Sequence, residues 1–95
     1  MYVNVVSFKV KEGDDITFLE MQKFEENVEG KPAGLDHFHI LKDKNNKNLY
    51  YLLEYWENKA AKEKLEATES HKAFHALRKP LIEKKEEVFE CDLLV

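Results

Sequence analysis

The sequence predicts an α+β fold, with one sheet of four antiparallel strands whose helices lie on one face. Segments rich in β-branched and aromatic residues alternate with segments of helical periodicity, in the order β-α-β-β-α(α)-β. The middle two strands are joined by KDKNNKN, residues 42–48, a polar, Asn-rich stretch that is typical of a hairpin turn. A length of 95 residues suits one domain, so we assign residues 1–95 to it. This element order is that of the ferredoxin-like arrangement.

Glycine and aspartate delimit the first strand and the first helix. VNVVSFKV, residues 3–10, has the composition of a strand, and Gly13 follows it. Asp14 or Asp15 then provides a cap for a helix over ITFLEMQKFEENVEG, residues 16–30. Gly30 closes this helix, since Pro32 and Gly34 prevent its continuation. The predicted apolar face of the helix consists of Phe18, Met21, Phe24 and Val28.

Two further strands form the predicted hairpin, and another ends the chain. In LDHFHILK, residues 35–42, two apolar side chains alternate with His37, His39 and Leu41. LYYLLEYW, residues 49–56, is the most apolar segment of the chain. VFECDLLV, residues 88–95, alternates again, which predicts a last strand with Cys91 as a small core residue rather than an activated thiol.

Two capped helices are predicted between the third and fourth strands. Asn58 caps the first, which runs to about Thr68 with Ala60, Ala61 and Leu65 as its apolar side. The charge pairs Lys59–Glu63 and Lys62–Glu66 indicate a solvated face on this helix. Thr68 caps the second helix, which starts at about Ser70 and is bent or ended by Pro80. The predicted buried face of the second helix is Ala73, Phe74, Leu77 and Leu81.

The sheet face without helices is predicted to pair with a second copy of the chain. It would carry apolar side chains such as Val3, Val5, Tyr51 and Tyr55, which together are too apolar to remain in water. Pairing this face with its copy is the simplest way to cover it. We therefore expect a homodimer.

Charge and cysteine content exclude several classes of partner and location. Fifteen Lys and Arg against nineteen Asp and Glu give a net charge of −4, so the chain lacks the excess of positive charge that binding to DNA or RNA requires. A single cysteine fits a reducing compartment. The N-terminal stretch lacks the pattern of a secretion signal, and no stretch approaches the roughly 18 apolar residues of a membrane span. We expect a cytoplasmic protein without nucleic-acid or membrane partners.

The histidines are the first candidates for chemistry. His71 and His75 are one helical turn apart, but there is no HExxH motif, and their spacing fits incidental surface imidazoles as well as a site. His37 and His39 share one strand face and would join them only if that face meets the helix. Because His75 follows Phe74 at the edge of the predicted buried face, we expect it to reach between helix and sheet, with His71 nearer the mouth. Trp56, at a strand end, fits either the core or the wall of a site for a planar ligand.

A longer segment carries a family resemblance. LLEYWENKAAKEKLEATESHKAFHALRKP, residues 52–80, resembles the signature of the antibiotic biosynthesis monooxygenase superfamily of dimeric α/β barrels. The resemblance is specific at Glu54, Trp56, Ala61 and the Thr68–His75 stretch, and the element order agrees over essentially the whole chain. It implies a homodimer whose monomer oxygenates a small molecule in a pocket between sheet and helices.

The resemblance implies oxygenation of a planar aromatic or quinol-like molecule without metal or flavin. The catalytic candidates are His75 and Asn4, and an imidazole of His75, His71 or His39 would serve as the base. The implied substrate-binding residues are Trp56, His71, His39, Leu65 and Phe74.

Two alternatives remain open at this stage. The spacing from Trp56 to His75 is similar to that in the IsdG-type haem-degrading monooxygenases, in which case His75 would be the axial haem ligand. Those enzymes have a Trp where this chain has Leu65, and an Asn where it has Val6, with Asn4 two residues earlier. The other alternative is a non-catalytic dimeric protein that binds a ligand, since fold alone does not give function.

Overall fold

The computed structural model describes residues 1–27, 32–84 and 86–95. Its elements follow the predicted order, and the α+β, ferredoxin-like fold is confirmed. The predicted closure of the first helix at Val28 and Gly30 lies outside the described residues. The strands are β1 (Tyr2–Lys9), β2 (Leu35–Lys42), β3 (Leu49–Trp56) and β4 (Glu87–Asp92). The helices are α1 (Asp15–Asn27), α2 (Lys59–Glu66) and α3 (Glu69–Arg78), and a 3₁₀ turn follows at Lys79–Leu81.

The sheet has the strand order β2-β3-β1-β4, and every neighbouring pair is antiparallel. Because side chains alternate between the two faces, the register places Val6 beside Leu52 and Phe8 beside Tyr50 on the helix side. Phe18 of α1 packs on this layer, with its ring centroid 5.1 Å from that of Phe8 and 5.6 Å from that of Tyr50. The core therefore lies between the middle of the sheet and α1.

The apolar face predicted for α1 is only partly correct. Phe18 is fully buried, but Phe24 is 63% exposed. Gln22 is buried instead, and its side-chain oxygen accepts a hydrogen bond from Arg78 of α3 at 3.1 Å. A polar side chain takes the inward position because a partner on another helix satisfies it.

The predicted caps of α2 and α3 are confirmed, whereas the Asp14 or Asp15 cap of α1 stays a prediction. The Asn58 side-chain oxygen accepts a hydrogen bond from the Ala61 backbone N–H at 2.9 Å, and Thr68 Oγ1 accepts one from the His71 N–H at 3.2 Å. The start of α2 is also held against the loop before β2. Gly34 has a φ of +88°, and a Cβ added there would lie 2.5 Å from the Cβ of Ala61. Only glycine fits both the left-handed backbone and this close approach.

The predicted buried face of α3 is wrong at two positions. Leu77 is 69% exposed and Ala73 is exposed, whereas Phe74 and Arg78 are buried. The face that packs inward is thus the row His71, Phe74 and Arg78, spaced by three and four residues. Hydropathy misassigned this row because it places arginine in water.

The last strand ends earlier than predicted, and Cys91 is not a core residue. β4 stops at Asp92, and Leu93 and Val95 beyond it are exposed. Cys91 is exposed because β4 is an edge strand and Cys91, paired with Val3, lies on the sheet face that the helices do not cover.

That uncovered face carries the predicted apolar side chains. The register places Val3, Val5, Tyr51 and Tyr55 together on it. In the isolated chain Val3 is buried and the other three are half-buried. The predicted homodimer would cover this face and stays a prediction.

The hairpin turn between β2 and β3 is organised by Asp43. Its carboxylate accepts hydrogen bonds from the backbone N–H groups of Asn45 and Asn46, both at 2.8 Å, and from the Tyr51 hydroxyl at 2.5 Å. These donors, the Tyr51 hydroxyl foremost, lower the pKa of Asp43 to about 2. Separately, none of the helices within the described ranges has the length and apolar content that crossing a membrane requires.

Candidate functional site

A cleft of about 100 Å³ lies between the helix side of the sheet and the helices. Its floor comes mainly from β1 and β3, with Val88 of β4 beside them, and its roof comes from all three helices. An enclosed cavity of roughly 150 Å³ holds one benzene ring, so this cleft, which is smaller but open to solvent on one side, has room for at most about one six-membered ring. β1 and β3 contribute to the floor Asn4, Val6, Phe8, Leu52, Glu54 and Trp56.

The floor of the cleft contains three buried polar side chains, two of which have a buried atom without a hydrogen-bond partner among the described residues. Asn4 is 3%, Glu54 8% and Trp56 0% exposed. Asn4 and Glu54 are direct cross-strand neighbours. The Asn4 Oδ1 and Trp56 Nε1 atoms have no hydrogen-bond partner within the part of the chain that the structure describes. Leaving such a group unpaired costs about 1–3 kcal/mol, so the two atoms indicate a place built for a ligand.

A histidine–carboxylate pair forms one side of the roof. His71 Nδ1 lies 2.9 Å from Glu25 Oε1, and the two side chains are only 21% and 16% exposed. An Nδ1–H that donates to a carboxylate leaves Nε2 with its lone pair available as a proton acceptor. This is the arrangement of an oriented general base, and it joins α3 to α1 across the cleft.

His75 also lines the cleft but sits at its rim. Its side chain is 48% exposed, and Nε2 lies 3.5 Å from Glu86 Oε1. The expectation that His75 reaches deeper than His71 is therefore wrong. The inward face of α3 is centred on the row of His71, Phe74 and Arg78, which turns His75 toward solvent.

Arg78 adds a fixed positive charge to the wall, which sequence reasoning missed. Its guanidinium lies 4.6 Å from the ring centroid of Phe8 and 5.3 Å from that of Phe74. It donates hydrogen bonds to Gln22 at 3.1 Å and to Glu86 at 3.3 Å. Its spacing of seven residues from His71 was the available signal, since seven residues is close to two helical turns.

The polar side chains at the end of the sheet next to this floor already have hydrogen-bond and ion-pair partners. Glu90 accepts a hydrogen bond from the Tyr2 hydroxyl at 2.8 Å and pairs with Lys59 at 2.9 Å, in place of the predicted Lys59–Glu63 pair. Lys59 lowers the pKa of Glu90, and burial together with the bond to Glu90 raises the pKa of Tyr2. The predicted Lys62–Glu66 pair is present at 3.0 Å.

The remaining predicted site residues divide between the two faces of the sheet. Leu65 and Phe74 line the cleft. His39 does not, because β2 directs Phe38 and Ile40 toward the helices, and His37 and His39 toward the opposite face. There the His37 ring stacks on Tyr55 with centroids 4.0 Å apart. The face of His37 and His39 does not meet α3, so the condition for their joining His71 and His75 is not met, and the prediction that His39 lines the same pocket is wrong.

The residues do not fit a haem group. A cleft for about one ring is too small for a porphyrin, which has four, and His75, the expected axial ligand, is turned to the rim beside Glu86. Over the described ranges, no group of three or more His, Cys, Asp or Glu side chains is placed to hold a metal ion.

Comparison with known proteins supports the fold over the whole chain. A protein from Nitrosomonas europaea assigned to the antibiotic biosynthesis monooxygenases superposes with a TM-score of 0.87 at 17% identity, covering 100% of both chains. One from Deinococcus radiodurans, with the same assignment, gives 0.86 at 10% identity, covering 100% of this chain and 94% of its own.

A third solved structure is a point mutant of SnoaB, a cofactor-independent oxygenase from Streptomyces nogalater. It gives a TM-score of 0.85 at 15% identity, over 97% of this chain and 91% of its own. No curated protein sequence matched the chain. Residues 1–77 match the sequence profile of a family described as Antibiotic biosynthesis monooxygenase. The chain belongs to the antibiotic biosynthesis monooxygenase family.

Proposed function

We propose that this protein is a monooxygenase that oxidises a small phenolic or quinol-like ring without a bound cofactor. The observation that carries the proposal is the His71–Glu25 pair in the roof of a cleft whose floor holds unpaired polar groups. The fold shared with SnoaB, which is described as a cofactor-independent oxygenase, supports the proposal at the level of fold.

The reaction balances without an external reductant. A phenol and O₂ give a quinone and water, because the ring supplies all the electrons that O₂ takes up. Removal of the hydroxyl proton makes the ring electron-rich, and the phenolate gives one electron to O₂. The phenoxyl radical and superoxide then join in a C–O bond. After protonation to the hydroperoxide, loss of the ring C–H proton and cleavage of the O–O bond release water and leave the quinone.

His71 is the proposed base for this reaction. It replaces His75 in that role because it is the less exposed of the two and is held by Glu25. His71 Nε2 would take the hydroxyl proton and return it to the peroxide, while Glu25 fixes the ring orientation. Glu25 is thus a positioning residue.

Arg78 and Asn4 have separate proposed roles. The buried guanidinium of Arg78 favours the anionic states of the reaction, the phenolate and the superoxide, because it is already fixed and needs no rearrangement. Asn4 orients the substrate through its carboxamide. The apolar side chains of Leu65 and Phe74 would pack on the faces of the ring.

Oxygen uptake with a panel of monocyclic phenols and hydroquinones tests this proposal. His71→Ala should lower kcat by roughly 100-fold or more, the usual contribution of a general base. Glu25→Gln should lower kcat less and change the pH dependence of kcat, since only the support of the base is altered. Glu20→Gln, on the exposed side of the same helix, is the matched control and should leave activity unchanged.

Several results would contradict the proposal. Turnover that is insensitive to His71→Ala would remove the base assignment. Binding of the phenols without oxygen uptake would favour the non-catalytic alternative. A haemin titration that gives a stable or decaying Soret band with one equivalent bound would favour the haem alternative.

The homodimer is a further part of the proposal. Its support is the apolar face that carries Val3, Val5, Tyr51 and Tyr55, opposite the helices. Obligate interfaces of this kind often bury more than roughly 2,000 Å² in total. Sedimentation at micromolar concentration should give twice the chain mass of 11.2 kDa, and a monomer would contradict the pairing.

A further inference from the structure

The unpaired groups on the floor of the cleft limit which rings the site can recognise. Asn4 and Glu54 occupy directly opposed positions on β1 and β3, and both face the helices. Side chains in such positions have Cβ atoms about 4.5–5.5 Å apart, so their polar ends can contact one edge of one ligand. Both residues are more than nine-tenths buried.

The two side chains offer acceptors that the described protein does not use. Asn4 Oδ1 is fully buried and has no hydrogen-bond partner among the described residues. The Glu54 carboxylate lines the same cleft, keeps some contact with solvent and forms no hydrogen bond or ion pair to the described residues. On the other side of Asn4, its cross-strand neighbour on β4 is Glu90, and this carboxylate already has Tyr2 and Lys59 as partners. Of these three cross-strand neighbours, Asn4 and Glu54 are therefore the ones to which a ligand could donate hydrogen bonds.

Trp56, in contrast, lacks a hydrogen-bond acceptor within the described ranges. Its Nε1–H is buried without an acceptor and lies two residues beyond Glu54 on the same strand face. A ligand that meets all three groups must donate twice and accept once. An ammonium group donates but cannot accept, whereas a hydroxyl does both.

We infer that the substrate is a single ring with two hydroxyl groups on the same edge, in a 1,2 or 1,3 arrangement. In the bound diol one hydroxyl donates to Asn4 Oδ1 and the other to Glu54, and one of the two oxygens accepts from Trp56. During turnover the hydroxyl on Asn4 gives up that hydrogen bond and transfers its proton to His71 Nε2. A cleft of about 100 Å³ restricts the ligand to about one ring. This inference rests on the proposed function, since it names the substrate class of the same cleft.

Anaerobic binding measurements test the inference separately from turnover. The dissociation constants of catechol and resorcinol are compared with those of phenol and of hydroquinone, whose second hydroxyl lies on the far side of the ring. We expect the two same-edge diols to bind at least tenfold more tightly, because phenol and hydroquinone leave either Asn4 or Glu54 without a donor from the ligand. Equal affinities for the four rings, or no binding of any, would overturn the inference.

Substitutions identify the residues responsible. Asn4→Leu removes an acceptor at similar volume and should abolish the preference for the same-edge diols over phenol. Glu54→Gln keeps one acceptor oxygen and should reduce the preference without abolishing it. Glu63→Gln, on the exposed side of α2, is the control and should keep the full preference. A preference that survives Asn4→Leu would overturn the assignment.

The outcomes separate the two proposals. If the preference is found under anaerobic conditions and no oxygen is consumed in air, the binding inference holds and the oxygenase proposal fails. If oxygen is consumed with phenol and catechol at the same kcat/KM, and their affinities are equal, the oxygenase proposal holds and the inference fails. The wild-type ligand series decides the question even if a substituted chain does not fold.

Discussion

Gly34→Ala should be one of the most damaging small substitutions in this chain. Gly34 combines a left-handed backbone with a Cβ position 2.5 Å from Ala61 Cβ. An alanine in the left-handed region costs about 1–2 kcal/mol, and an overpacked contact costs about 1–3 kcal/mol more. The expected loss is about 2–5 kcal/mol, a large part of the roughly 5–14 kcal/mol typical of a domain of this length.

A double-mutant cycle separates the two contributions. Ala61→Gly alone should cost about 0.5–1 kcal/mol, since it places glycine in a helix. In the double variant the steric contact is gone but the backbone strain remains, so a coupling of about 1–3 kcal/mol should be recovered. Urea unfolding of the four proteins measures each free energy. Additivity of the two substitutions would refute the reasoning, because it would show that the methyl groups do not meet.

Three further predictions concern a cap, a turn and the uncovered sheet face. Asn58→Ala should lower the free energy of unfolding by about 1 kcal/mol, while Asn58→Asp, which keeps an acceptor, should not; equal losses in urea would contradict the cap. The pKa of Asp43, lowered to about 2 chiefly by the Tyr51 hydroxyl, gives stability that is present above the ordinary value of 3.8 and is lost as the pH falls through 2. The difference in Tm between wild type and Asp43→Asn should therefore shrink between about pH 4 and pH 2, and a constant difference would exclude this origin. If the uncovered faces pair, native Cys91 should react with a maleimide more slowly than in the urea-unfolded chain, and equal rates would exclude the pairing.

What the sequence predicted correctly depends on short-range signals. Asn58 and Thr68 cap helices whose backbone N–H groups lie within three residues of them, so the local pattern determines their role. The alternation in β1 and β3 likewise shows which residues share a face. The element order followed from these signals, and the fold followed from the order.

What the sequence could not predict depends on contacts between distant segments. Arg78 is buried because Phe8 and Gln22, from two other elements, provide a ring face and a hydrogen-bond acceptor for its guanidinium. His71 rather than His75 faces the cleft because the buried row includes that arginine. Hydropathy predicts that Arg78 is exposed to solvent. The predicted inward face of α3 is therefore displaced around the helix, so that it includes Leu77 instead of Arg78.

The same limit applies to the two faces of the sheet. Alternation groups His37 with His39 and separates them from Phe38, but it does not say which group meets the helices. That choice is fixed by packing of α1 and α3 across strands distant in sequence. Glu54 was noticed only as part of a family pattern, and its cross-strand partner Asn4 became visible only with the register.

The central position of β1 has a consequence for the way the chain is made. β1 is synthesised before β2, β3 and β4, and it pairs with β3 on one edge and with β4 on the other. During translation the hairpin of β2 and β3 can form before β4 is made, whereas the second edge of β1 stays open until β4 leaves the ribosome. An open strand edge is a template for pairing with other chains. The nascent protein therefore exposes an unpaired strand edge between the synthesis of β3 and that of β4, and release of Glu87–Asp92 is the step that completes the sheet.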